Sequence, residues 1–166
     1  AKKMLYLSTQ AKDDKNLFIH NEVGYNFRLP SINCALQIYL FEKLNFFLKK
    51  KKEIRIKYKN SIKNLKNFSL NQSPSYSKNN FYLNILIIKN NNLNLKNKIL
   101  TAFKKNNIET RCIWYPNHLQ KPFKKFQSYK ITNCVNQVKL SLCLPSGNNL
   151  KLNQIEKVCT ILKKFD

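Results

Sequence analysis

"FIHNEVGYNFRLP", residues Phe18–Pro30, holds one of the two histidines, one of the two glycines, one of three arginines and one of five prolines in a 166-residue chain. The surrounding sequence is dominated by lysine, asparagine, leucine and isoleucine. Rare residue types gathered against so uniform a background mark a place where particular chemistry is needed. The stretch also ends on a helix start, because Pro30 is preset for a first helical turn and Ser31 follows it. From there "INCALQIYLFEKLNFFLKKKKEIRIKYKNSIKNL" predicts one helix to about Leu65. Its apolar residues Ile32, Leu36, Leu40, Leu44 and Leu48 recur at i, i+4, followed by Ile54, Ile56 and Tyr58. That stripe reads as a core-packing face, with Lys49–Lys52 as its wet side.

Outward from this helix the pattern alternates. Residues 1–12 read as the end of a helix or strand, and 13–28 as a polar loop. After a Ser/Asn loop over 67–79, "NFYLNILIIK" predicts a strand, "NLKNKILTAFKKNN" an amphipathic helix, and "IETRCIWY" a second strand. A loop through "PNHLQKP" and a short helical piece lead to a third strand, "VKLSLCLP". Residues Pro145–Asn149 then turn into a last helix, "KLNQIEKVCTILKKF". Strands separated by helices on one short chain predict an α+β layer, about three strands with helices on one face. No linker or internal repeat interrupts it.

Composition narrows the chemistry. The formal charge is +23, yet arginine stands only at 28, 55 and 111, and every other one of the 31 basic residues is lysine. Nucleic-acid readers usually add arginine forks and exposed aromatics. A solvated lysine-rich surface is therefore the first reading, with a functional polyanion surface as the alternative. The longest apolar candidate, "FYLNILII", is far short of the ~18 residues of a membrane helix, and "AKKMLYLS" lacks the apolar core of a signal peptide. Five cysteines without a Cys-x-x-Cys pair read as reduced, buried thiols of a cytoplasmic protein. Cys112, His118 and Cys134 match no zinc-ligand spacing. Two glycines cannot build a Gly-rich phosphate loop, and no Ser–His–Asp set or carboxylate pair stands out among eight acidic residues. With Met4 the only methionine and Ala1 opening mid-element, the chain is expected to be a fragment.

The rare residues collect in "HNEVGYNFR" (20–28), "TRCIWYPNHLQKPF" (110–123) and "LPSGNN" (144–149). In a lysine-biased chain an arginine suggests a planar two-pronged donor. Asn26 lies just before a helix start, where backbone N–H groups hold anions. Asn26 and Arg28 equally suit bracing the loop and capping the helix.

Together "LSTQAKDD…FIHNEVGYNFRLPSINCAL…EKLN", "TRCIWYPNHLQKPF" and "LSLCLPSGNNL" resemble, in order and over nearly the whole chain, the DegT/DnrJ/StrS family of pyridoxal-phosphate-dependent sugar aminotransferases. The resemblance is nearest the branch that aminates 4-keto-6-deoxy sugars on nucleotide carriers for surface polysaccharides, with glutamate as amine donor. It implies the carboxyl-terminal half of an aspartate-aminotransferase-like fold. Residues 1–30 would be the end of the large cofactor domain and an active-site loop, 31–66 a long connecting helix, and 67–166 the small α/β domain. It implies pyridoxal 5'-phosphate as cofactor, a homodimer with shared active sites, and dependence on an amino-terminal cofactor domain. No membrane and no specific nucleic acid are implied as partners.

By the same resemblance, Asn26 donates to the phosphate of the partner subunit's cofactor, with Arg28 beside it. Tyr25 lines that cleft, His20 and His118 border the sugar, and Arg111 and Trp114 shape the small-domain wall. No lysine here matches the cofactor-attachment motif, so no catalytic residue is nominated. Gln37, Tyr39 and Leu40 depart from the family pattern, which has small residues at the first two positions and a glutamine at the third. A lysine-rich polyanion-binding module tracking the Lys49–Lys66 face and a non-catalytic remnant of the enzyme are the competing readings.

Overall fold

Side-chain alternation is what sorts the strands into a half-buried sheet. In the computed structural model, which describes residues 1–13, 20–89 and 92–166, β2 (Asn84–Ile88) buries Asn84, Leu86 and Ile88 and leaves Ile85 and Ile87 half-buried on the opposite face. β1 (Phe68–Leu70) does the same with Phe68 and Leu70, and β4 (Ser141–Leu144) with Leu142 and Leu144. β3 (Arg111–Cys112) completes an antiparallel sheet of order β1-β2-β4-β3. Its register pairs Phe68 with Ile88, Leu86 with Leu142 and Arg111 with Cys143.

The expected three strands are therefore four. β1 lies in the segment read as a Ser/Asn loop, because three residues are too few to show an alternation and only pairing with β2 makes them a strand. The predicted strand "IETRCIWY" shrinks to two residues, since β4 pairs only with Arg111 and Cys112. "VKLSLCLP" begins as helix: α5 (Thr132–Lys139) takes Val138 and Lys139, and β4 starts at Ser141.

Three helices close one core on the sheet. α3 (Leu44–Ile62) contributes Ile54, Tyr58 and Ile62, four residues apart. α4 (Leu93–Lys105) contributes Ile99 and Phe103, and α6 (Leu152–Lys163) contributes Ile155, Val158, Cys159, Ile161 and Leu162. An i, i+4 stripe is the spacing that puts apolar residues on one helix face. Asn92 caps α4 by accepting the Leu95 N–H. Lys96 on α4 is buried, and its ammonium donates to the Val138 and Lys139 carbonyls, at 3.2 and 2.8 Å. It thereby satisfies carbonyls that the end of α5 leaves free.

Residues Asn45–Asp166 form one compact unit and Ala1–Leu44 another. The smaller contains α1 (Lys2–Ser8) and α2 (Ser31–Glu42), and the loop predicted over 13–28 falls partly on residues 14–19, outside the described ones. The single helix predicted from Ser31 to about Leu65 is present as α2 and α3, with Lys43 between them at φ −91°, ψ 2°. The stripe read as core-packing is exposed along its first half: Ile32, Leu36 and Leu40 keep 71%, 57% and 49% of their surface. Only its continuation through Ile54, Tyr58 and Ile62 enters the core. Tyr39 and Leu40, two of the departures from the family pattern, are both exposed in this chain. Of the cysteines expected to be buried only Cys159 is; Cys112 and Cys134 are exposed, and all five are free thiols. Among the described residues no helix is long and apolar enough to cross a membrane.

Candidate functional site

The amino-terminal unit brings its rare residues together by a close backbone approach. Gln10 and Ala11 sit in the left-handed region, at φ 75° and 46°, and turn the chain sharply after α1. The segment 24–27 then runs back along that turn. The Gln10 N–H donates to the Tyr25 carbonyl (3.0 Å), the Tyr25 N–H to that of Leu7 (2.8 Å) and the Phe27 N–H to that of Ser8 (3.0 Å). Thr9 and Asn26 form an isolated antiparallel bridge. The approach requires Gly24: a Cβ there would lie 2.3 Å from both Ala11 N and Gln10 C.

Asp13 fastens the same loop. It accepts the Tyr6 hydroxyl at 2.9 Å and the Asn21 N–H at 2.8 Å. These two bonds, the backbone one first, hold its carboxyl below the usual carboxylate range. Partial desolvation and the bond to Asp13 push the Tyr6 phenol up to about 12. Lys3 pairs with Glu22. His20 Nδ1 lies 2.8 Å from the Gln10 carbonyl. A carbonyl only accepts, so Nδ1 carries the proton and Nε2 remains for another partner.

His20 and Asn26 line one open depression with Gln10, Asn21 and Gly24. Tyr25 and Arg28 do not line it. The Tyr25 ring stacks on Phe27, at 5.1 Å and 9° between planes, and Arg28 is exposed shortly before α2. Neither the Asn26 amide nor the Arg28 guanidinium has a hydrogen-bond or ion-pair partner among the described residues. The bracing role left open by the sequence is carried instead by backbone bonds and Asp13.

In the larger unit Arg111 and Trp114 line a cavity of about 530 Å³. Strand order makes it: β4 sits between β2 and β3, which brings Pro145, Ser146 and Gly147 beside Tyr82 and Arg111. Trp114 and Tyr82 expose their rings, and Arg111 is held in plane by Glu109, 2.9 Å away. Lys51 lines the same cavity. Its ammonium donates to the Ser146 carbonyl, lies 5.7 Å from the Tyr82 ring centroid, and is pushed down in pKa by burial. Tyr58 reaches the loop from below, its hydroxyl donating to the Pro145 carbonyl at 3.0 Å. Burial pushes that phenol far up. His118 is not among the lining residues; it stands half-buried on a short 3-10 turn, Asn117–Leu119.

Lys51, Tyr82 and Glu109 were not singled out from sequence, and Ser146 lay in the stretch "LPSGNN" without an assigned role. Glu109 carried a signal, because it lies two residues before Arg111 and so on the same side of an extended chain. Nothing local marks Lys51 among its lysine neighbours.

Comparison with known proteins follows this geometry. The model of the DegT/DnrJ/EryC1/StrS aminotransferase family matches residues 1–163. A putative pyridoxal phosphate-dependent aminotransferase, EpsN of Bacillus subtilis, is 29% identical over 96% of this chain and 42% of its own length. The GDP-perosamine synthase of Vibrio cholerae is 20% identical over 98% of this chain and 44% of its own. Among solved structures, Helicobacter pylori PseC, an aminotransferase involved in the biosynthesis of pseudoaminic acid, superposes with a TM-score of 0.85 at 20% identity. It is covered over 45% of its chain, against 99% of this one. The chain thus spans less than half the length of the relatives it matches.

Proposed function

The chain belongs to the DegT/DnrJ/EryC1/StrS aminotransferase family, and from that premise we propose that it forms the carboxyl-terminal part of an enzyme that moves an amino group from glutamate to C4 of a nucleotide-linked 4-keto-6-deoxy sugar. Aminotransferases of this family use pyridoxal 5'-phosphate, which when bound supplies the electron sink for amine transfer. The residues present fit the phosphate end of that cofactor. Asn26 offers an amide and Arg28 a two-pronged cation, both exposed and unpartnered among the described residues. They lie five and three residues before Ser31, which opens the twelve-residue helix α2, whose first N–H groups favour an anion.

In this reading Asn26 and Arg28 hold the phosphate of the partner subunit's cofactor in a homodimer, and Tyr25 lines the shared cleft. His20, with Nε2 available, borders the sugar, as does His118. Arg111 and Trp114 form the small-domain wall, where an indole face suits a sugar or base and the guanidinium is kept oriented by Glu109. The acting lysine belongs to a part of the enzyme outside these residues. The large domain and partner subunit would cover the apolar face of α2.

The observation that carries the reading is the unpartnered Asn26 amide on a backbone segment pinned by three hydrogen bonds, with the unpartnered Arg28 just beyond it. The test uses the native polypeptide that bears these residues, with pyridoxal 5'-phosphate, glutamate and a nucleotide-linked 4-keto sugar. Amination is read by mass spectrometry and cofactor retention by absorbance. A hydrogen bond to a charged group is worth ~1.5–3 kcal/mol, so Asn26→Ala should weaken cofactor binding by roughly ten- to a hundredfold. Failure of the native polypeptide to bind cofactor or aminate the sugar would end the proposal.

A further inference from the structure

The third arginine, Arg55, has no part in either site above. It lies on α3 in a groove of about 610 Å³ between that helix and β1, which shares no lining residue with the Arg111–Trp114 cavity. Lys52, Arg55, Lys59 and Lys63 descend one wall at intervals of three and four residues, and Lys89 faces them after β2. These intervals align the four on one helix face, spanning about 16 Å at 1.5 Å per residue. The floor is apolar, made by Ile56, Ile62, Phe68 and Leu70, and no acidic side chain among the described residues lines the groove. The side chains of Lys52, Lys59 and Lys63 have no hydrogen bond or ion pair among the described residues, and Lys89 lies near enough to Asp166 to help lower that carboxyl's pKa.

Arg55 itself is held in place. It donates through Nη1 to Asn71 Oδ1 at 2.9 Å and through Nη2 to the Asn71 carbonyl, leaving three of its five N–H donors for another partner. The Phe81 ring stands 5.9 Å from the guanidinium carbon. Phe81 is kept there at φ 52°, unusual for a bulky residue, by its N–H bond to Asn79 Oδ1 at 2.6 Å. Strain of this kind is stored where surrounding structure over-determines a position, often at a ligand clamp.

We propose that this groove binds a linear oligophosphate, free or as the phosphate chain of a nucleotide. Solvated lysines normally fan out over a convex face, where water screens them. Here five cations line a concave, apolar-floored cleft, which focuses their field. A chain of linked phosphates presents repeated negative charge along one line, as the wall presents repeated positive charge. The length and volume suit a small ligand rather than a long strand. Phe81 adds a ring on which a base can stack if the phosphates belong to a nucleotide.

The test is calorimetric titration of the full chain with inorganic tripolyphosphate and with adenosine triphosphate, at physiological salt. One site per chain is expected. Lys59→Gln with Lys63→Gln should weaken binding about tenfold or more. Lys121→Gln, Lys124→Gln and Lys125→Gln together remove more charge from an exposed region elsewhere, and should change affinity less than twofold. If the nucleotide binds tighter and Phe81→Ala erases the difference, the phosphates come from a nucleotide. Equal affinity for both ligands points to the inorganic chain. Several weak sites, equal losses in the two lysine variants, no binding, or binding of oligothymidylate without tripolyphosphate would each overturn the proposal.

Discussion

Replacing either glycine by alanine adds the same methyl group, and the structure assigns the two substitutions opposite outcomes. Neither glycine has a positive φ, so the difference is one of space alone. At Gly147 the new Cβ meets only Asn149 Oδ1, at 2.7 Å, the movable end of a side chain. That atom can swing aside, and the stiffer unfolded chain should stabilise the protein by ~0.4–1 kcal/mol. At Gly24 the Cβ lands 2.3 Å from Ala11 N and Gln10 C and 2.7 Å from Ala11 Cβ. Backbone must move, and the segment 24–27 has to lift off Leu7–Ala11. The three backbone bonds joining Gln10 to Tyr25, Tyr25 to Leu7 and Phe27 to Ser8 are then lost or stretched. At a net ~0.5–1.5 kcal/mol each, Gly24→Ala should destabilise this turn by about 1.5–4.5 kcal/mol. Hydrogen exchange reads it directly: the amides of Gln10, Tyr25 and Phe27 should lose protection by tenfold or more, while those of β2 and β4 stay unchanged. Gly147→Ala should leave both sets intact. Native protection of the three amides in Gly24→Ala would refute the close-approach argument, and with it the view that Asn26 is held on a rigid segment.

Three further outcomes are expected. Tyr58→Phe removes a hydroxyl in a fully buried ring and leaves the Pro145 carbonyl unpaired, which should lower stability by ~1–3 kcal/mol in urea titration. Asp166 accepts the Asn67 and Lys66 N–H groups at 2.8 and 3.0 Å, and these bonds depress its carboxyl pKa. Its stabilisation is therefore complete above the unfolded value of ~3.9 and lost as pH falls through the lower folded value. The urea midpoint of Asp166→Asn should consequently vary less with pH in that acid window than that of the parent chain. Finally, the exposed row Ile32, Leu36 and Leu40 should drive self-association of the 166-residue chain; Leu36→Lys with Leu40→Lys should shift light scattering toward monomer, and a parent chain that is already a clean monomer would contradict this.

Periodicity was enough to locate α4, α6 and the second half of the α3 stripe, because an amphipathic helix is encoded in residues three and four apart on one segment. Pro30 likewise announced the start of α2. Composition drew attention to His20, Gly24 and Arg28 as rare residue types, and the motifs around them carried the family. Strands were legible only in part. β2 shows as a short isoleucine-rich run of strand length, but β1 is a strand because β2 lies beside it, and β3 is only as long as its two-residue pairing with β4. The exposure of Ile32, Leu36 and Leu40 was equally hidden, since an apolar stripe looks the same whether or not this chain covers it.

The gathering of distant residues belonged to the tertiary structure alone. Lys51 meets Ser146, Arg55 meets Asn71 and Phe81, and Gly24 meets Gln10 through contacts that depend on strand order and chain reversal. Local sequence sets which face of an element is apolar, through interactions a few residues long. Which faces and loops then meet depends on the free energy of burying one shared core and pairing non-adjacent strands, terms that no single segment contains.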